Sequence, residues 1–243
     1  MNRTRQLTRS VPSFAEMTRM LLRWNIGLTT QGDEKGSTPL HFATSMLRPK
    51  PVNYWIHRPW ISGIWRPGMP FEQVLQANLA PMFQSDNEGL FPVHVAASIG
   101  SNKAVVRFLH KCPNIAGLRD TRGRTFLHVA VEKKRWHVAS HACKTPSLSW
   151  IWNMQDNDGN TALHLAVKLG FQDIFCLLLG NLQVNLNITN NNGETPLDLS
   201  DSNICDGSFC SWVSIFIFIV HIYRILSVSG RPAAIKGRVT IQE

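Results

Sequence analysis

None of the five cysteines (Cys112, Cys143, Cys176, Cys205 and Cys210) stands at C-x-x-C spacing from another, so nothing suggests a zinc site or a thioredoxin-like redox centre. Their odd number and wide separation fit a reduced, cytosolic compartment. The first 25 residues lack the apolar run of a secretory signal, because arginines, threonines and Glu16 interrupt the methionines and leucines. The sequons Asn2-Arg3-Thr4 and Asn187-Ile188-Thr189 then read as chance matches. Acidic residues are few: 16 Asp and Glu against 25 Lys and Arg leave a net charge of +9 and a pI near 9.7. That balance permits nucleic acid, an anionic membrane surface or an acidic protein as partner. A long basic tract alternating with aromatics is also missing. Arg3, Arg5 and Arg9 crowd the start and Lys133, Lys134 and Arg135 form one short run, less than a single-strand groove requires. A nucleic-acid partner is therefore not expected, and a basic nucleic-acid-associated protein stays a remote alternative. At 44% hydrophobic and 17% charged, the chain has the composition of a folded protein.

What is present is a repeated block. It reads DEKGSTPLHFA at 33–43, DNEGLFPVHVA at 86–96, DTRGRTFLHVA at 120–130, DNDGNTALHLA at 156–166 and NNNGETPLDL at 190–199. The spacings from His94 to His128, His164 and Asp198 are 34, 36 and 34 positions, a period that decides architecture before local propensity matters. The D-x-x-G element predicts a tight β-turn at a finger tip, with glycine at positive φ. Thr38, Thr125, Thr161 and Thr195 stand where a helix N-cap is wanted, and Pro39, Pro92 and Pro196 in the first helical turn. Leu40, Val93, Leu127 and Leu163 are predicted to face a core, and Ala43, Ala96, Ala130 and Ala166 to let neighbouring helices approach. Gly100 and Gly170 read as left-handed C-caps, each followed by a second helix.

T-P-L-H-x-A at this spacing, five times in register, resembles the ankyrin-repeat family. The resemblance implies an all-α fold: a solenoid of stacked helix-turn-helix units with β-turn fingers, whose concave face grips other proteins. One repeat cannot bury its own apolar face, so stability should sum over repeats and their interfaces. His41, His94, His128 and His164 line up along such a stack, which invites a metal reading. Layers about 8–10 Å apart cannot bring their nitrogens to one zinc at about 2.1 Å. In the family this histidine bonds to the backbone of the adjacent repeat, and Asp198 replaces it in the last block.

Three stretches depart from the pattern. Residues 13–31 read as the second helix of a partial repeat, with Ser13 as N-cap and Phe14, Met17, Met20, Leu21 and Trp24 on one face, which predicts a sticky exposed edge or a shortened chain. His41 and His94 are 53 positions apart, roughly 20 more than the period. A surface insertion loop is predicted at 47–70, rich in proline and carrying Trp55, Trp60 and Trp65, with helix resuming at Phe71 and turning Val74 and Leu75 inward. Those tryptophans either anchor a partner or pin the loop onto its own repeat. In the third repeat Lys133 to His137 replace the usual glycine. A short outer helix is predicted near 135–144, with Trp150 and Trp152 packing under the finger loop.

Domain organisation follows as a basic tail at 1–12, repeats over 13–200 starting near 33, 86, 120, 156 and 190, and a last segment at 201–243. Gly207 to Tyr223 is 17 residues without a charge, only just the length of a membrane span, with Arg224 at its distal end. A hydrophobic C-terminal helix over 207–228 is predicted to touch a membrane or to cap the last repeat. The 86–97 and 156–167 blocks, with the connector Lys144-Thr145-Pro146-Ser147, are similar to the plant accelerated-cell-death type of membrane ankyrins, regulators of defence and salicylate-linked cell death. Their Pro-Gly-Gly multi-spanning region has no counterpart, since Ser229-Gly230-Arg231-Pro232 is a different motif.

The leading functional reading is a protein–protein interaction scaffold, cytosolic or at the cytosolic face of the plasma membrane, in plant defence signalling. Glu34, Lys35, Leu90, Arg122, Arg124 and Asn160 are its candidate finger contacts. A membrane-tethered signalling component anchored by 207–228 is the alternative. No D-H-H-C, G-x-x-x-x-G-K-S/T, G-x-S-x-G or kinase signature occurs, and too little chain lies outside the repeats for a catalytic domain. No enzyme activity, cofactor, metal or small-molecule substrate is expected.

Overall fold

A computed structural model of the chain describes residues 13–47 and 69–201, together with Ile215. Trp55, Trp60 and Trp65, the tail at 1–12 and the segment 207–228, apart from Ile215, lie outside the described residues. Within them ten α-helices follow one another and there is no strand. They are α1 (Phe14–Trp24), α2 (Pro39–Ser45), α3 (Pro70–Ala77), α4 (Pro92–Ile99), α5 (Asn102–Lys111), α6 (Phe126–Glu132), α7 (Trp136–Lys144), α8 (Ala162–Lys168), α9 (Gln172–Leu179) and α10 (Pro196–Asp201). The chain divides into two compact units at His141, inside α7.

In the N-terminal unit the short block helices lie side by side, α2 against α4 and α4 against α6, while α3 packs on α1 and α2, and α5 on α4. Each block helix starts the same way. Thr38 and Thr125 hold extended backbone at the N-caps of α2 and α6, Phe91 does so at α4, and Pro39 and Pro92 occupy first helical positions. Leu40, Val93 and Leu127 are fully buried, and the alanines Ala96 and Ala130 are completely enclosed. A residue without a long side chain at that position lets one helix backbone approach the next, which is why three helices of seven or eight residues can share a core. From the outer row, Phe71, Val74 and Leu75 of α3 and Phe108 of α5 close the core, Phe71 and Phe108 meeting edge-on at 5.4 Å. Arg107 of α5 grips the nearly buried Glu72 of α3 through two hydrogen bonds of 2.7 and 2.8 Å.

The end of the block helix explains how the third repeat manages without its glycine. After α4, Gly100 takes φ 82° in the left-handed region, and the Ser101 N–H returns to the Ala96 carbonyl. After α6 it is Lys134 that takes φ 53°, with the Arg135 N–H bonded to the Ala130 carbonyl at 2.7 Å. The turn is the same, and a lysine carries strain that glycine would not. Lys134→Gly is expected to raise stability by about 0.5–1 kcal/mol, read as an upward shift in thermal midpoint.

In the C-terminal unit α8 packs on α9 and α10. Leu163 and Val167 of α8 and Ile174, Phe175 and Leu178 of α9 form its core. The expected packing of the two connector tryptophans requires correction at Trp150. Trp152 is buried and its indole N–H donates to the Ala142 carbonyl at 3.1 Å, but Trp150 is 51% exposed. Pro146–Ile151 forms a 3-10 helix, in which residues three apart share a face. Leu148 and Ile151 therefore take the inner side and Trp150 is turned to solvent.

α1 leaves apolar side chains exposed, Phe14, Met20, Leu21 and Trp24 among them. Ser13 caps it, with the Glu16 N–H donating to the serine hydroxyl and the Ser13 N–H to the Glu16 carboxylate. None of its side chains is buried. Among the described residues, no helix is long and apolar enough to cross a membrane.

Candidate partner-binding surface

Three of the block histidines, His41, His94 and His164, join their repeat to the next. Backbone N–H groups of Thr38, Phe91, Thr125 and Thr161 donate to Nδ1 of His41, His94, His128 and His164 at 3.1–3.2 Å. A backbone N–H can only donate, so Nδ1 is the acceptor and the ring proton sits on Nε2. Nε2–H of His41, His94 and His164 then donates to the carbonyls of Leu90, Arg124 and Glu194 at 2.9, 3.0 and 3.1 Å. One ring thus caps its own helix and holds the base of the following finger. Both nitrogens are engaged, which leaves no lone pair for a metal.

Each finger is a closed loop. Oδ1 of Asp33, Asp86, Asp120, Asp156 and Asn190 accepts from the N–H groups two and four residues on, at 2.8–3.0 Å. Neighbouring fingers are then tied by a short polar side chain after that residue. In the N-terminal unit Asn87 Nδ2 donates to the Glu34 carbonyl at 3.0 Å, and the Thr121 hydroxyl to the Glu88 carbonyl at 2.7 Å. Asn191 Nδ2 does the same to the Asn157 carbonyl at 2.8 Å in the C-terminal unit. The sequence carried this signal in the recurrent Asn or Thr at that position, and the block reading passed over it.

The candidate contacts fall into distinct environments. Glu34, Lys35 and Arg122 are exposed on their fingers. Leu90 is half-buried and lends its carbonyl to His41. Arg124 is half-buried, pairing with Asp120 at 2.7 Å and also with Glu132. Burial pushes the Asp120 carboxyl up, but the Arg124 guanidinium and backbone outweigh it and hold the group below the usual carboxylate range. Asn160 is only 5% exposed and its Oδ1 accepts from Asn190, so the accessible tip of that finger is Asn157 and Asp158. In each unit the fingers are fixed loops with outward polar and charged side chains, able to bind a surface.

Burial pushes His94 and His164 below the ordinary imidazole range, more than the neighbouring carboxylates and carbonyls raise them. A histidine that titrates lower when folded gives stability that is complete above its unfolded value near 6.5 and is lost as pH falls through that value toward the folded one. The thermal midpoint is therefore expected to drop by several degrees between about pH 7 and 5. The double variant His94→Gln/His164→Gln should show a shallower acid slope over that window, measured by thermal melts at matched ionic strength.

Comparison with known proteins agrees with this geometry. The family model described as "Ankyrin repeats (many copies)" matches residues 147–200. Neurogenic locus notch homolog protein 1 of Danio rerio is 30% identical over 107 residues, 44% of this chain, and the Notch protein of Drosophila melanogaster 37% over 81 residues, 33% of it. Rabankyrin-5 of Mus musculus is 28% identical over 171 residues, 70% of this chain. The chain spans only 4%, 3% and 13% of the length of these three relatives. Recurrent blocks, histidine-linked short helices and these matches together show that the chain belongs to the ankyrin-repeat family.

Proposed function

We propose that the finger tips and the adjoining block helices bind partner proteins, and that the chain acts as a non-catalytic scaffold in plant defence or cell-death signalling. The observation that carries the binding reading is the contrast within each finger. Backbone and Asp or Asn side chains are consumed in a closed network, while Glu34, Lys35 and Arg122 are exposed on a support already ordered. A partner meeting such a surface loses little further backbone entropy on binding. The plant setting rests on the similarity of the 86–97 and 156–167 blocks to membrane ankyrins of the accelerated-cell-death type.

The test is capture by proximity labelling from plant cells, comparing the parent chain with Glu34→Ala/Lys35→Ala/Arg122→Ala. All three positions are exposed, so the melting profile should not move. Loss of most of the specific captured set is expected, and an unchanged set would contradict the finger reading. The uncharged stretch from Gly207 to Tyr223 supports a second reading, tethering at a membrane. Carbonate-resistant pelleting of the full chain, abolished by charged substitutions within 207–228, is its expected signature.

A further inference from the structure

The exposed large apolar side chains of the N-terminal unit concentrate on α1 and the facing side of α2. Phe14 and Leu21 of α1, with Phe42 of α2 and Met46 just after it, line an open groove of about 280 Å³. Beside the groove, and not lining it, Met17, Met20 and Trp24 form a second stripe, 39%, 64% and 79% exposed. Their spacing of three and four residues puts them on one side of the helix, in the pattern of the seam positions of a coiled coil.

We propose that this stripe is a self-association site, through which two copies of the chain pair their first helices antiparallel. The charges beside the stripe select that occupant and that direction. Glu16 and Arg23 each precede a seam residue, Met17 and Trp24, so both lie on the same flank, two turns and about 10.5 Å apart. Along a parallel partner the residue facing that flank would be Leu21, which offers no charge. Along an antiparallel copy the same flank meets itself reversed, and Glu16 of each chain stands opposite Arg23 of the other. Two equivalent ion pairs then close around the Met20 pair at the centre, as a two-fold interface requires. The groups are available for this. Glu16 spends Oε2 on the Ser13 N–H, and among the described residues Arg23 has no ion-pair partner.

The experiment is sedimentation velocity of the full chain over a range of concentrations, with circular dichroism and thermal melts of every variant. The parent is expected to show a reversible monomer–dimer equilibrium. Met20→Glu should weaken it at least about tenfold with an unchanged melt, because it buries an unpaired carboxylate at the seam only in the dimer. R23E and E16R should each weaken the dimer by setting like charges opposite each other, and an equimolar mixture of the two should dimerise again, since both attractive pairs return in the mixed species. A parent chain that stays monomeric, whether its groove takes another segment of the chain or a foreign helix, would overturn the proposal. So would a dimer indifferent to Met20→Glu, or a mixture that fails to re-form.

Discussion

Replacing Leu163 with aspartate is expected to unfold the C-terminal unit. Leu163 is 0% exposed in the block helix α8, which packs on α9 and α10. A carboxylate there would have no partner of opposite charge and no water, and the leucine's packing would be lost as well. The combined penalty is about 5 kcal/mol or more, which rivals the whole stability of a typical domain, about 5–15 kcal/mol. Far-UV circular dichroism should lose part of its helical signal at 25 °C, and limited proteolysis should cut first within the C-terminal unit. Asp158→Asn, on an exposed finger of the same unit, is the control and should melt like the parent. Equal melts for both variants would mean that α8 does not face a core.

The second large effect concerns the approach of one finger to the next. Gly89 adopts φ 75°, and a Cβ there would lie 2.6 Å from the Thr121 backbone nitrogen. A side chain meets two costs together, the left-handed backbone and a collision with a neighbour that is itself main chain and cannot rotate away. Gly89→Ala is expected to lose about 2–4 kcal/mol. Gly193 has nearly the same backbone, φ 79°, but nothing within 4 Å of the added atom. Gly193→Ala should cost only the conformational part, about 1 kcal/mol. Chemical denaturation of the pair separates the two contributions, and equal losses would show that the fingers do not approach as closely as described.

The parts of this fold legible in the sequence are those fixed by a local steric or hydrogen-bonding demand that recurs. A turn needing positive φ selects glycine, a helix start selects threonine and proline, and a tight helix contact selects alanine, so five copies announce themselves. Positions decided by neighbours were harder. Asn160 carries the polar side chain expected of a finger contact, but Asn190 draws it inward. Arg124 looks like a free guanidinium until Asp120 and Glu132 are placed beside it. Trp150 reads as a buried residue because it is large and aromatic, and the 3-10 turn of its connector gives the inner side to Leu148 and Ile151 instead. At Lys134 the chain breaks its own rule, taking the left-handed turn with a residue that pays in strain.

His41, His94 and His164 each hold their repeat to the next as a neutral ring whose Nε2–H bonds to a carbonyl at the base of the following finger. Nitrogen-15 chemical shifts of the imidazole rings at pH 7 test this most directly. His41, His94 and His164 should all appear as the Nε2–H tautomer, with that proton slow to exchange with water. Rings found as the Nδ1–H tautomer, or exchanging as quickly as a surface histidine, would contradict the account.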